Sequence, residues 1–110
     1  MTAARLTESA PLFAALGDET RLRLVARLCE EGPSSIARLA EGATVSRQAV
    51  TKHLVALERA GLVRSARAGR ERIWQLQPGR LAHARRQLDE VSRAWDAAIG
   101  RLRAFVEGPR

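Results

Sequence analysis

The chain has 110 residues, enough for a single domain with a modest core. Its one cysteine, Cys29, excludes an intrachain disulfide framework, and no apolar run approaches the length of a membrane span. Nineteen basic residues against 12 acidic ones leave a formal net charge of +7, which points towards a polyanion such as nucleic acid or an anionic surface.

The stretch Met1-Thr2-Ala3-Ala4-Arg5 lacks the apolar centre of a signal peptide, so the expected location is the cytoplasm. Pro11 to Leu16 reads as a short first helix, with Pro11 suited to its first turn and Gly17 breaking it. Asp18 caps a second helix and Glu19 sits by the positive end of its dipole. On that helix Leu22, Val25, Leu28 and Cys29 fall on one face, with Leu24 at its flank, so Cys29 is expected to be a small buried hydrophobe. Gly32-Pro33 ends the helix.

Ser34 or Ser35 caps a short third helix carrying Ile36, Leu39 and Ala40, and Glu41 to Val45 form a turn. Ser46 caps a fourth helix whose buried face is Val50, Leu54 and Leu57, and Gly61 stops it. Two strand-like runs follow, Leu62 to Ala66 and Arg72 to Gln77. Gly69 is placed between them to supply positive φ in a three- or four-residue hairpin loop. A long helix then runs from about Arg80 to Glu107. Its apolar positions, Leu81, Ala84, Leu88, Val91, Trp95, Ala98, Leu102 and Phe105, alternate steps of three and four and form a heptad seam. The predicted fold is mainly α with a small β-hairpin, in the order α-α-α-α-β-β-α.

Two helices joined by a tight turn, the second with a polar outer face, suggest a helix-turn-helix over about residues 35–60. With Val50, Leu54 and Leu57 turned inward, Arg47, Gln48, Thr51 and Lys52 lie on the outer face near the helix N-terminus, where recognition helices meet base edges. Arg47 and Lys52 can donate to guanine acceptors, Gln48 can pair with adenine, and the Thr51 methyl can meet a thymine methyl. Ser46 and His53 are placed for phosphate contacts. The hairpin adds Arg64, Arg67, Arg70 and Arg72 as further backbone contacts, with Glu71 the one nearby acid. From Arg59 to Arg86 the chain holds eight arginines and one acidic residue. Double-stranded DNA is therefore the expected partner. The competing reading is an interaction module whose basic face binds an acidic protein or RNA. An enzyme finds no support, since there is no nucleophile–base arrangement and no glycine-rich phosphate loop.

Ala15 to Leu24, Ser46 to Leu54, Leu57 to Val63 and Gly69 to Arg72 together resemble the ArsR-type winged helix-turn-helix transcriptional regulators. The most specific part is the run Ser46-x-x-x-Val50-x-x-His53-Leu54-x-x-Leu57-x-x-Ala60-Gly61-Leu62-Val63. The resemblance implies a wing at about 62–77, a dimerisation helix at about 80–107, and a homodimeric repressor that releases operator DNA on a signal. It also implies that the first and last helices form the dimer interface, with Leu12, Phe13, Leu16, Leu88, Val91, Trp95, Leu102 and Phe105 in contact. Two such protomers would match a palindromic operator.

One departure is Thr44, at a turn position where glycine is frequent. Either the turn takes another conformation, using Gly42, or the helices are set differently, which shifts the contact register by about a residue. Many ArsR-type proteins sense metals. Here the stretch Ser34 to Leu39 lacks the thiols of one common site. The last helix has His83, Asp89, Glu90 and Asp96 but no second histidine for the other. No metal site and no cofactor are expected, and the residues assign no effector.

Overall fold

Capping signals place the helix boundaries in the computed structural model, which describes residues 3–108; Met1 and Thr2, part of the stretch tested above for a signal peptide, lie outside them. The elements are α1 (Ala3–Thr7), α2 (Ala10–Leu16), α3 (Glu19–Glu31), β1 (Ser34–Ser35), α4 (Ile36–Ala40), α5 (Arg47–Arg59), β2 (Val63–Ala68), β3 (Glu71–Leu76) and α6 (Pro78–Glu107). The Asp18 carboxylate accepts from the Arg21 amide at 3.1 Å, and Ser35 and Ser46 hydroxyls accept from Arg38 and Ala49 amides at 3.3 and 3.1 Å. Each hydroxyl or carboxylate thus satisfies an amide that the first turn of its helix leaves without a partner.

The end of α5 is equally specified. Gly61 has φ +81°, the Leu62 amide donates to the Leu57 carbonyl, and the Gly61 amide donates to the Glu58 carbonyl. That pair of bonds is the Schellman closure, and its left-handed residue favours glycine. The chain turns there into β2 with Leu62 and Val63 already buried.

Two elements exceed the sequence expectation. Helix α1 precedes the first predicted helix. Strand β1 joins the hairpin as a third strand, in the order β1-β3-β2, with Ser34 opposite Trp74 and Ser35 opposite Ile73. Two adjacent serines carry no strand pattern; they gain it by lying along β3. The hairpin loop is also tighter than expected. Ala68 pairs with Glu71, so only Gly69 and Arg70 turn the chain, and Gly69 at φ +65° is the first of them. A two-residue loop with glycine first suits a II′ turn, whose twist matches that of the flanking strands.

The core gathers Leu12 and Ala15 of α2, Leu24 and Leu28 of α3, Leu39 of α4, Val50, Leu54 and Leu57 of α5, Leu62, Val63 and Trp74 of the sheet, and Ala84 of α6. Val50, Leu54 and Leu57 are wholly buried, as their spacing requires. Each contributes about 1.5–3 kcal/mol relative to exposure. The inward face of α3 differs from the expected one: Leu24 and Leu28 are buried, while Leu22 and Cys29 are exposed. Five apolar residues crowd two turns of that helix, and periodicity alone does not choose among them. Packing of α3 against α5, β3 and α2 chooses, with Leu24 and Leu28 in the shared core.

Helix α6 has 30 residues, and its far half extends the molecule to 72 Å. The heptad seam divides. Ala84 is buried and Val91 half-buried, while Leu81, Leu88, Trp95 and Leu102 remain 44, 51, 68 and 58% exposed. Small Ala84 allows close approach to the body of the protein, and beside it Gln87 is buried as well. The Gln87 amide accepts from the Ser9 hydroxyl and donates to the Arg5 carbonyl, which ties the α1–α2 junction to α6. Leu12, expected at a dimer interface, is instead spent in the protomer's own core; Phe13 and Leu16 are partly buried against it. Among the described residues no helix is long and apolar enough to cross a membrane.

Candidate nucleic-acid interface

Helix α5 is held by its inner face and offers its outer one. With Val50, Leu54 and Leu57 inside, Arg47, Gln48 and Lys52 are exposed and Thr51 is half-buried. The Thr51 hydroxyl donates to the Arg47 carbonyl at 3.0 Å. That hydroxyl's proton is used within the helix, so Thr51 can offer its methyl and, as an acceptor only, its hydroxyl oxygen. Ser46 accepts at the N-terminus and keeps its own hydroxyl proton free for an acceptor.

The turn before α5 uses Gly42, which has φ +72°, and no non-glycine residue among those described adopts positive φ. Thr44 therefore meets no left-handed requirement, which answers the alternative left open by its side chain. Arg27 of α3 holds this turn from behind. Its Nη1 donates to the Glu41 carbonyl at 2.7 Å and to the Leu39 carbonyl at 3.3 Å. Sequence reasoning missed Arg27, because a guanidinium bonding to main-chain carbonyls across helices leaves no local signal.

His53 lies on the inner edge of α5 rather than on its outer face. Its Nδ1 accepts from Arg21 Nε at 3.2 Å and lies 3.9 Å from Asp18 Oδ1. Asp18 is held below the ordinary aspartate range chiefly by the Arg21 amide bond, with desolvation opposing it and the Arg21 charge adding to it. The imidazole is thus engaged with the start of α3.

The hairpin has two unlike faces, because side chains alternate along its strands. Val63, Ser65 and Arg67 lie opposite Leu76, Trp74 and Arg72 on one face; Arg64, Ala66 and Ala68 lie opposite Gln75, Ile73 and Glu71 on the other. The first face is the one turned to α5, since Glu58 of that helix accepts from both the Ser65 amide and hydroxyl at 3.2 and 3.0 Å. The four hairpin arginines are consequently not equivalent. Arg72 Nη1 donates to the Ser65 hydroxyl at 2.9 Å. Arg64, on the opposite face, donates to the Gln75 side-chain oxygen at 2.8 and 3.1 Å in the amide orientation that satisfies both groups. Arg67 and Arg70 stand exposed at the tip.

A shallow groove of about 210 Å³ joins the hairpin tip to the N-terminal end of α5; Arg47, Arg70, Glu71 and Arg72 line it, and Ser35 to Ala37 form its floor. Residues from the helix-turn-helix and the hairpin, far apart in sequence, thus bring three arginines to the lining of one concave surface. Such a surface takes oxyanions, because guanidinium forks match phosphate oxygens.

Residues 16–66 match a helix-turn-helix domain family. The chain is 44% identical over 85 residues to the HTH-type transcriptional regulator Rv2034 of Mycobacterium tuberculosis, covering 77% of this chain and 76% of that protein. It is 32% identical over 95 residues to the arsenical resistance operon repressor of Escherichia coli, covering 86% of this chain and 79% of that one. Its fold is similar to that of an ArsR-like transcriptional regulator from Rhodococcus sp. RHA1, with TM-score 0.76 at 36% identity over 90% of this chain and 92% of that chain. It is also similar, at TM-score 0.64 and 23% identity over 82% of each chain, to a homodimeric winged helix-turn-helix DNA-binding domain from Mycobacterium bovis.

Proposed function

The chain belongs to the ArsR family of winged helix-turn-helix transcriptional regulators, and from that premise we propose that it is a homodimeric repressor that reads a palindromic operator. The observation that carries the reading is the groove shared by Arg47 of the recognition helix and Arg70 and Arg72 of the wing. One rigid unit then grips the DNA backbone from both sides of the helix that enters the major groove. Arg47, Gln48, Thr51 and Lys52 meet base edges. Ser46, Arg67, Arg70 and Arg72 hold flanking phosphates, and Arg64 approaches them from the other face of the wing. His53 acts behind the helix through Arg21.

Repression follows the name of the Escherichia coli relative, whose operon it restrains. The homodimer is supported by the exposed apolar line of α6 and by the homodimeric Mycobacterium bovis neighbour. A helix about 45 Å long with Trp95, Leu102 and Phe105 in solvent needs a cover. A second α6 supplies one. Leu88, Val91, Trp95, Leu102 and Phe105 would form the centre of that interface, with Phe13 and Leu16 at its edge. Two-fold symmetry then sets two recognition helices about 34 Å apart, one turn of DNA. A regulator of this kind works in the cytoplasm, where the chromosome is.

The experiment is a mobility shift with the DNA upstream of the protein's own gene, repeated over a range of salt. A retarded complex that resists excess unrelated duplex, and weakens steeply with salt, supports operator binding. Equal competition by unrelated duplex removes sequence-specific reading.

A further inference from the structure

We propose that Glu58, an acidic residue on a largely basic surface, is a positioning residue for the wing: through Ser65 it fixes the direction of the Arg72 guanidinium, which the DNA-binding reading sets against a phosphate. The inference rests on the DNA-binding reading above and deepens it by assigning a role to a residue with the wrong charge for that surface.

Three bonds form the chain. Glu58 Oε2 accepts from the Ser65 amide at 3.2 Å and from the Ser65 hydroxyl at 3.0 Å; the same hydroxyl oxygen accepts from Arg72 Nη1 at 2.9 Å. The hydroxyl can accept from Arg72 in this geometry because its own proton is directed at the carboxylate. The Ser65 amide belongs to β2, the edge strand in the order β1-β3-β2. An edge amide without a partner faces water or a side chain. Here it faces the recognition helix, so the carboxylate both covers the strand edge and sets the angle between wing and helix.

Charge alone argues against an acid in this place. Glu58 is on α5, the helix read as entering the groove, and a carboxylate there repels phosphates. The three-bond chain explains what offsets the repulsion. An arginine of β3 held in one rotamer by the Ser65 hydroxyl of β2 loses less freedom on meeting a phosphate than a free one does, and preorganisation of this kind favours binding. The Ser65 bond holds the Arg72 guanidinium against β2, so the direction from which it meets a phosphate is set before DNA arrives.

The test compares Glu58→Ala with Glu58→Gln, both of which remove one negative charge. Only the glutamine keeps an oxygen that can accept from Ser65. Binding is read by fluorescence anisotropy on a short labelled duplex of arbitrary sequence over a range of salt, so no operator is needed. If Glu58 positions the wing, E58A binds several-fold more weakly than E58Q, and its salt slope is shallower by up to about 0.9, one phosphate contact. In an Arg72→Ala background the difference between alanine and glutamine disappears. Ser65→Ala, which removes only the relay, reproduces the E58A slope with the circular dichroism spectrum unchanged. If E58A and E58Q bind equally, both tighter than the wild type, Glu58 acts as a bare charge and the proposal is wrong. If the wild-type protein shows no salt-dependent binding to the duplex, the DNA-binding reading itself fails, and the role of Glu58 fails with it.

Discussion

Arg21 Nε donates to His53 Nδ1 at 3.2 Å, joining the first turn of α3 to the middle of α5. The same guanidinium reaches the Ala15 carbonyl at 3.4 Å, so one arginine spans three helices behind the recognition surface. His53 therefore serves the placement of α5. Replacing His53 by alanine removes a partly buried hydrogen bond, a loss of about 1 kcal/mol, which lowers Tm by about 4–8 °C for a small domain. Calorimetry checks this. An unchanged Tm together with lost DNA affinity would return His53 to a phosphate contact.

Asp18 caps α3 beside that pair, and its carboxyl is held below the ordinary range, first by the Arg21 amide. A lowered folded pKa means that its contribution is fully present above the unfolded value, about 3.9, and is lost as pH falls through the folded one. Asp18→Ala is therefore less stable than the wild type at neutral pH, and the gap in Tm narrows as pH drops below about 4. Thermal melts at a series of pH values decide it; a gap that stays constant into the acid range would show that the charged cap contributes nothing.

Gln48 is exposed on the outer face of α5 one residue inside its N-terminus. If it reads adenine by two hydrogen bonds, Gln48→Ala costs about 1–3 kcal/mol on the operator and little on unrelated duplex. Competition binding measures both. A loss shared equally by all sequences would move Gln48 from base reading to backbone contact.

Trp95 is 68% exposed in the middle of α6, on a line with Leu88 and Leu102. Burying that line between two copies is opposed by a charge at its centre, so Trp95→Asp yields monomers with weakened DNA affinity. Light scattering at several concentrations is the check, and a dimer that persists would remove this line from the interface.

The local code was legible where it is self-contained. Ser46, Asp18 and Gly61 each act on atoms within a few residues of themselves, so caps and stops could be read and α5 lies where its pattern put it. The buried trio Val50, Leu54 and Leu57 was equally plain, because Val55 is the one other large apolar residue of that helix and it flanks the same face. On α3 periodicity places Leu22 and Cys29 inside, yet both are exposed, since Leu22, Leu24, Val25, Leu28 and Cys29 offer more than one acceptable face. The four arginines of the wing read alike in sequence. Strand alternation then separated Arg64 from Arg67 and Arg72, and cross-strand hydrogen bonds within the hairpin engaged two of them.

The sequence by itself thus determined five of the six helices, the hairpin and the basic character of one surface, because propensity, capping and charge are properties of neighbouring residues. Tertiary structure alone decided the rest. Ser34 and Ser35 became a strand only because β3 lay beside them. Gln87 became a buried clasp only because Ser9 and the Arg5 carbonyl met it across the fold. Glu58 acquired a role only when the wing folded back on its helix. In each case a polar group has its partner on another element, and only folding brings the two within hydrogen-bond reach.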